Sequence, residues 1–184
     1  MKAYLGNIND TVDDAQIALA ITAASRAVDR HCNRQFGLVA APEERTYTAY
    51  WSSDLRKYVV YVDDFMTTTG LVITDDEGTA ITDYTLKRTN ADKDGVPWTH
   101  IVLNSGGNCR GDGITVTARY GWTTVPVAVQ QATVLQAMRL FKRRGAPFGV
   151  AGSPELGSEL RLLSKVDPDV AVVLGPYLRW WSAA

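Results

Sequence analysis

The segment that most constrains this chain is GWTTVPVAVQQATVLQAMRLFKRRGAPFG, Gly121 to Gly149, where a strand ends, a helix opens at a proline and the helix stops in a basic cluster. Thr123 and Thr124 offer hydroxyls to the first free amides, and Pro126 falls in the first turn, where a missing N–H costs nothing. Val127, Val134, Met138 and Phe141 lie near one face at helical spacing and are expected to pack. Arg139, Lys142, Arg143 and Arg144 crowd the last turn, where positive charge complements the carbonyl end of the helix dipole. Gly145 and Pro147 then end the helix.

A second helix of about twenty residues is expected near the amino terminus. Thr11 provides a capping hydroxyl, with Asp13 and Asp14 in the first turn. Ile17, Ile21, Ala24 and Val28 recur at steps of four, three and four as its packed face, while Arg26, Asp29 and Arg30 stay outside; Asn33 and Gly37 close it. From Glu43 to Tyr120 the period changes to two. Thr46 to Trp51, Lys57 to Val62, Leu71 to Thr74 and Ile114 to Tyr120 are rich in Thr, Tyr, Val and Trp and read as strands. Asp75 to Gly78 reads as a hairpin loop, and Asn104 to Gly113 as a longer glycine-rich one. Beyond Gly149 a loop is expected, then a short helix over Ser158 to Ser164, then a brief helix capped by Asp167 and Pro168, packed through Val170, Val173 and Leu174 and ended by Gly175 and Pro176.

The expected fold class is therefore α+β. A helical core of a long amino-terminal helix, a central helix and short carboxyl-terminal helices carries an inserted antiparallel β subdomain of five or six strands. The parts run over residues 1–42, 43–120 and 121–184.

With 184 residues and 46% hydrophobic composition the chain can bury a proper core. Nineteen basic and twenty acidic residues give a net charge of -1, which disfavours a dedicated polyanion binder. The distribution is uneven. Asp54 to Asp94 holds nine acids against five bases, whereas Gly113 to Pro154 holds five bases and no acid. That asymmetry suits subunits meeting acidic side to basic side, and solvated faces produce it too. Cys32 and Cys109 make no disulfide framework, and the start MKAYLGNINDTVDD lacks an apolar run of signal-peptide length. No apolar stretch reaches membrane-spanning length, so no membrane partner is expected.

The candidate chemistry is sparse. Asp63-Asp64 and Asp75-Asp76 invite a divalent cation, but neighbours on a strand point to opposite faces and calcium-loop spacing is absent. His31 beside Cys32, with His100 and Cys109 far away, has neither paired zinc spacing nor a positioned base. The loop SGGNCRGDG lacks the Walker lysine and leads into a strand, so its Arg110-Gly111-Asp112 is read as part of a hairpin loop. No catalytic residue, cofactor or metal is expected. The basic residues Arg139, Lys142, Arg143 and Arg144 admit three readings: a solvated helix end, a nucleic-acid contact, or a subunit or portal interface. For the terminal Tyr177, Leu178, Arg179, Trp180 and Trp181 two readings stand, the edge of the core or an anchor for a partner.

The helix after Pro126, the amino-terminal AASRAVDRHCNRQF and the carboxyl-terminal LSKVDPDVAVVLGPYLRWW, in that order over nearly the whole chain, resemble the head-to-tail connector, or adaptor, proteins of long-tailed bacteriophages. The resemblance implies a non-enzymatic virion protein, assembled in the cytoplasm of a bacterial host, that forms a twelve-fold ring between portal and tail. Its implied partners are other copies of itself, the portal protein, and a stopper or tail-completion protein on the tail side. DNA would pass through the channel without specific binding. The same resemblance favours Tyr177 to Trp181 as the portal-docking segment, and the charge asymmetry favours Arg139, Lys142, Arg143 and Arg144 as a subunit interface. The large strand insertion departs from a compact connector. Two alternatives remain from the residues alone: a metal-dependent hydrolase using Asp63, Asp64 or His100, and a non-viral ligand-binding module using the strands.

Overall fold

A computed structural model describes residues 2, 11–104, 112–143, 150–151, 160–161 and 167–180. It is α+β, and the chain divides into two compact units, one of residues 1–33 with 126–184 and one of residues 34–125.

In the first unit, helix α1 spans Asp14–Cys32 and helix α3 spans Val127–Arg143. α1 begins later than its acids suggest. Asp13 is the cap position, its side chain makes no capping bond, and the Asp14 N–H donates to the Thr11 carbonyl at 3.2 Å. At the other end Asn33 adopts the left-handed conformation that stops the helix, a geometry asparagine tolerates better than most residues. Ile17 and Ala20, near the start of α1, cluster with Phe141, near the end of α3, so the two helices run antiparallel.

Both packed faces differ in part from expectation. On α1 the buried residues are Ile17, Ala20, Ala24, Val28 and Cys32, while Ile21 stays partly exposed. On α3 they are Val129, Ala132, Gln136, Ala137 and Phe141; Val127 is 67% exposed, and Val134 and Met138 are only half-buried. Alanines occupy much of the buried surface of each helix, and small side chains let helix backbones approach closely. The bulkier valines and methionine were therefore not the contact surface. Helix α4, Pro168–Leu174, packs on α3 and buries Val170 and Leu174, and a single 3-10 turn, Gly175–Tyr177, follows it. Val173, expected inside, is exposed. Leu160 and Arg161 are extended in a two-residue strand paired with Val150–Ala151, so these two residues do not form the short helix expected over 158–164.

The second unit is a six-stranded antiparallel sheet ordered β3-β6-β1-β2-β5-β4, with strands β1 (Glu43–Ser52), β2 (Lys57–Phe65), β3 (Val72–Thr74), β4 (Tyr84–Lys87), β5 (Trp98–Leu103) and β6 (Asp112–Ala118). A one-turn helix α2, Ala91–Asp94, precedes β5. β1 makes the sheet curl. Its first half pairs with β6, from Glu43 opposite Ala118 to Tyr47 opposite Ile114, and its second half pairs with β2, from Ala49 opposite Val60 to Ser52 opposite Lys57. A register shift between Tyr47 and Thr48 marks the change, as irregularities that bend strands do. Val60, Val62, Phe65, Ile101, Leu103, Ile114, Val116 and Tyr120 fill the enclosed core. Burial of each large aliphatic or aromatic side chain contributes about 1.5–3 kcal/mol. The expected alternation of Ile114, Val116, Ala118 and Tyr120 as one buried face holds. The hairpin loop at Asp75 to Gly78 also forms, with the Asp75 carboxylate accepting from the amides of Glu77 and Thr79.

Candidate functional site

The carboxyl-terminal segment is placed by two sets of bonds. Asp167 accepts from the Asp169 N–H at 2.8 Å and so caps α4, with Pro168 in the first turn. The same carboxylate forms an ion pair with Arg139 of α3, and the Asp167 N–H donates to Oε1 of the buried Gln136 at 3.4 Å. Glycine and proline then turn the chain through the 3-10 turn into an extended Leu178. The Arg179 N–H donates to the Cys32 carbonyl at 2.9 Å. Cys32 is the last residue of α1, where carbonyls lack partners within the helix, so the tail satisfies a group the helix leaves open.

Tyr177, Leu178 and Arg179 are half-buried, and Trp180 is 85% exposed. Trp181, expected to act beside it, lies outside the described residues. The structure thus brings Tyr177, Leu178, Arg179 and Trp180 together on one tethered segment. An exposed indole is costly to leave in water and is a frequent anchor in protein interfaces. The same unit also exposes Leu19, Ile21, Val127, Leu135, Val172 and Val173.

The basic end of α3 is partly engaged within the unit. Arg139 is ion-paired to Asp167, Arg143 is half-buried, Lys142 is exposed, and Arg144 lies outside the described residues. Cys32 is fully buried, as expected of a small core residue, and Cys109 lies outside the described residues. The loop Ser105 to Gly111 also lies there.

The acids of the hydrolase alternative occupy separate networks. Asp63 accepts from Arg45 at 2.8 Å and from the Tyr47 hydroxyl at 3.0 Å. The Arg45 guanidinium lies 4.0 Å above the Tyr120 ring. Burial opposes the charge on Arg45, but its bonds to Asp63 and Glu43 outweigh that and raise its pKa. Burial, then Tyr120 and the nearby Asp63 charge, raise the Tyr47 hydroxyl far above its ordinary value. Asp64 faces the other way, is buried, and accepts from Nη1 of Arg34 at 2.7 Å and from Nε1 of Trp122 at 2.9 Å. His100 Nδ1 lies 2.7 Å from Oγ1 of Thr99, and its ring packs on Tyr61. Among the described residues no group of three His, Cys, Asp or Glu side chains is placed to hold a metal. No described helix is long and apolar enough to cross a membrane.

The partners of Asp64 escaped the sequence reading. The signal was present: with Val60 and Val62 on the core face of β2, period two puts Asp64 on that face, and a buried carboxylate requires donors.

No protein-family model and no curated protein matches this chain. Two solved structures are similar to it in fold. One is a chain of the neck of an empty gene transfer agent particle computed with C6 symmetry, with TM-score 0.46, 20% identity, and 84% of this chain and 83% of that chain covered. The other is a chain of the virion of a native gene transfer agent particle, with TM-score 0.48, 20% identity, and coverage of 88% and 86%. No residue role is carried across at this distance.

Proposed function

We propose that this chain is a structural protein of a phage or phage-like virion, located at the head-to-tail junction, where a ring of copies joins the portal to the tail without catalysis. The observation that carries this reading is the display of Trp180 on a segment held to the end of α1 by the Arg179–Cys32 bond. A tethered, exposed aromatic suits docking on a protein surface better than it suits a solvated chain end.

In this proposal Tyr177 to Trp181 grip the portal. The helical unit faces its neighbours in the ring through Leu19, Val127, Leu135 and Val172, with the basic end of α3 at the margin of that contact. Copies related by rotation contact one another through two different surfaces, and such contacts close into rings when the rotation closes. Twelve copies match the resemblance. The ring assembles in the host cytoplasm and binds a stopper or tail-completion protein on its far side. DNA in the channel is contacted weakly, since strong phosphate binding hinders ejection.

Photo-crosslinking tests the docking directly. With benzoylphenylalanine in place of Trp180, irradiation in the presence of the portal protein of the same particle should yield a covalent chain–portal product. Absence of that product, with the same label at exposed Leu55 as the control, would contradict the reading.

A further inference from the structure

The chain enters the β unit once and leaves it once, and both crossings meet at Asp64. On the way in, Arg34 donates from Nη1 to Oδ2 of Asp64 at 2.7 Å. On the way out, Trp122 donates its indole N–H to the same oxygen at 2.9 Å, and the Gly121 N–H donates to the Asp64 backbone carbonyl at 2.7 Å. The two crossings also run side by side. The Val39 N–H donates to the Tyr120 carbonyl at 2.9 Å, the Trp122 N–H to the Phe36 carbonyl at 3.4 Å, and the Phe36 and Trp122 rings pack at 5.4 Å. Gly121 has φ +103, and a Cβ there would lie 2.2 Å from the Gly37 carbonyl oxygen, so the backbones touch where a side chain has no room.

We infer that Asp64 is a clasp: it binds the entering and leaving segments into one root for the inserted unit, and loss of its charge opens that root without unfolding the sheet. The choice of residue supports this. Asp64 continues the buried row of Val60 and Val62, where an apolar side chain would fill the core at less desolvation cost. A buried ion pair contributes little net stability over an apolar replacement, but it fixes which groups meet. Here the groups that meet are Arg34 at the entrance and Trp122 at the exit. Both covalent connections of this unit run through this root, so the clasp decides whether the entering and leaving segments stay together.

The test is amide hydrogen exchange on the full chain with Asp64→Asn, and with the double variant Arg34→Met, Asp64→Leu in case loss of the carboxylate opposite the largely buried Arg34 prevents the first from folding. Exchange at the Gly121 and Trp122 amides should accelerate about tenfold or more in each variant, while amides of β2 and β5 keep their protection, the signature of local opening. The Trp122 indole N–H resonance should shift in the same variants. Unchanged exchange at Gly121 and Trp122 in the double variant would overturn the clasp, and so would uniform acceleration across the sheet. Asp63→Asn is the control, because Asp63 serves Arg45 and Tyr47 and should leave both amides unaffected. The readout needs neither portal nor ring, so the clasp stands or falls independently of the proposed function.

Discussion

The N–H of Arg179 donates to the carbonyl of Cys32 at 2.9 Å, so the last described residues are fixed to the end of α1 with Trp180 exposed beyond them. The Cys32 carbonyl is one of the acceptors that a helix end leaves without an intrahelical donor, and the Arg179 N–H supplies that donor. The tail's position therefore depends on α1.

Trp180→Ala should separate binding from stability. The indole is exposed, so thermal unfolding should change by no more than about 0.5 kcal/mol. Affinity for the portal, measured by titration, should fall by about tenfold or more, the scale of an interface anchor. Equal loss of stability and affinity would mean that the ring serves the fold.

Asp167→Ala removes a helix cap and the ion pair with Arg139 together. The cost should be about 1–2 kcal/mol in a urea titration with unchanged slope. Asp167→Asn keeps the capping oxygen and should recover most of that loss, because the ion pair it gives up is half-exposed and solvent screening holds such pairs to about 1 kcal/mol.

Gly121→Ala should be among the most damaging single-methyl additions in the chain. The position combines φ +103 with a 2.2 Å approach to the Gly37 oxygen. Strain at such a φ alone costs about 1–3 kcal/mol, and the displaced backbone adds to it. A melting temperature equal to the parent's would refute this account of the root.

Alkaline pH should destabilise the β unit through its tyrosines. Burial is the main cause that pushes Tyr120 up to about 12, with the Tyr47 hydroxyl and the Arg45 charge pulling the other way, and Tyr47 is raised further still. The protonated hydroxyl is the form the fold uses, since Tyr120 donates to the Val116 carbonyl at 2.7 Å. Above the ordinary value of 10.0 the unfolded chain loses these protons first, so stability present below that pH declines as pH rises toward the folded values. Denaturant midpoints between about pH 9 and pH 12 should fall, and Tyr47→Phe should flatten the decline.

The sequence made the element types legible wherever one periodicity dominated. The alternation of Ile114 to Tyr120 and the Asp167-Pro168 helix start are realised as read. The packed face of α3 was not, because Ala132 and Ala137 carry little hydrophobic signal, yet close helix approach selects them over Val127 and Val134. β4 and β5 were hidden for another reason: in TDYTLK and WTHIVL polar residues interrupt the pattern, and pairing across the sheet decides their conformation. Of the candidate site, the aromatic composition was readable and the Arg179–Cys32 tether was not, since it joins residues far apart in sequence through backbone atoms alone.

The central claim is a ring that docks on a portal through the carboxyl-terminal segment. Light scattering of the purified chain, alone and mixed with the portal, beside a Trp180→Ala, Trp181→Ala variant, tests it most directly. The account predicts a ring-sized species or a portal complex with the parent chain and its loss in the variant. A chain that stays monomeric with and without portal would contradict the claim.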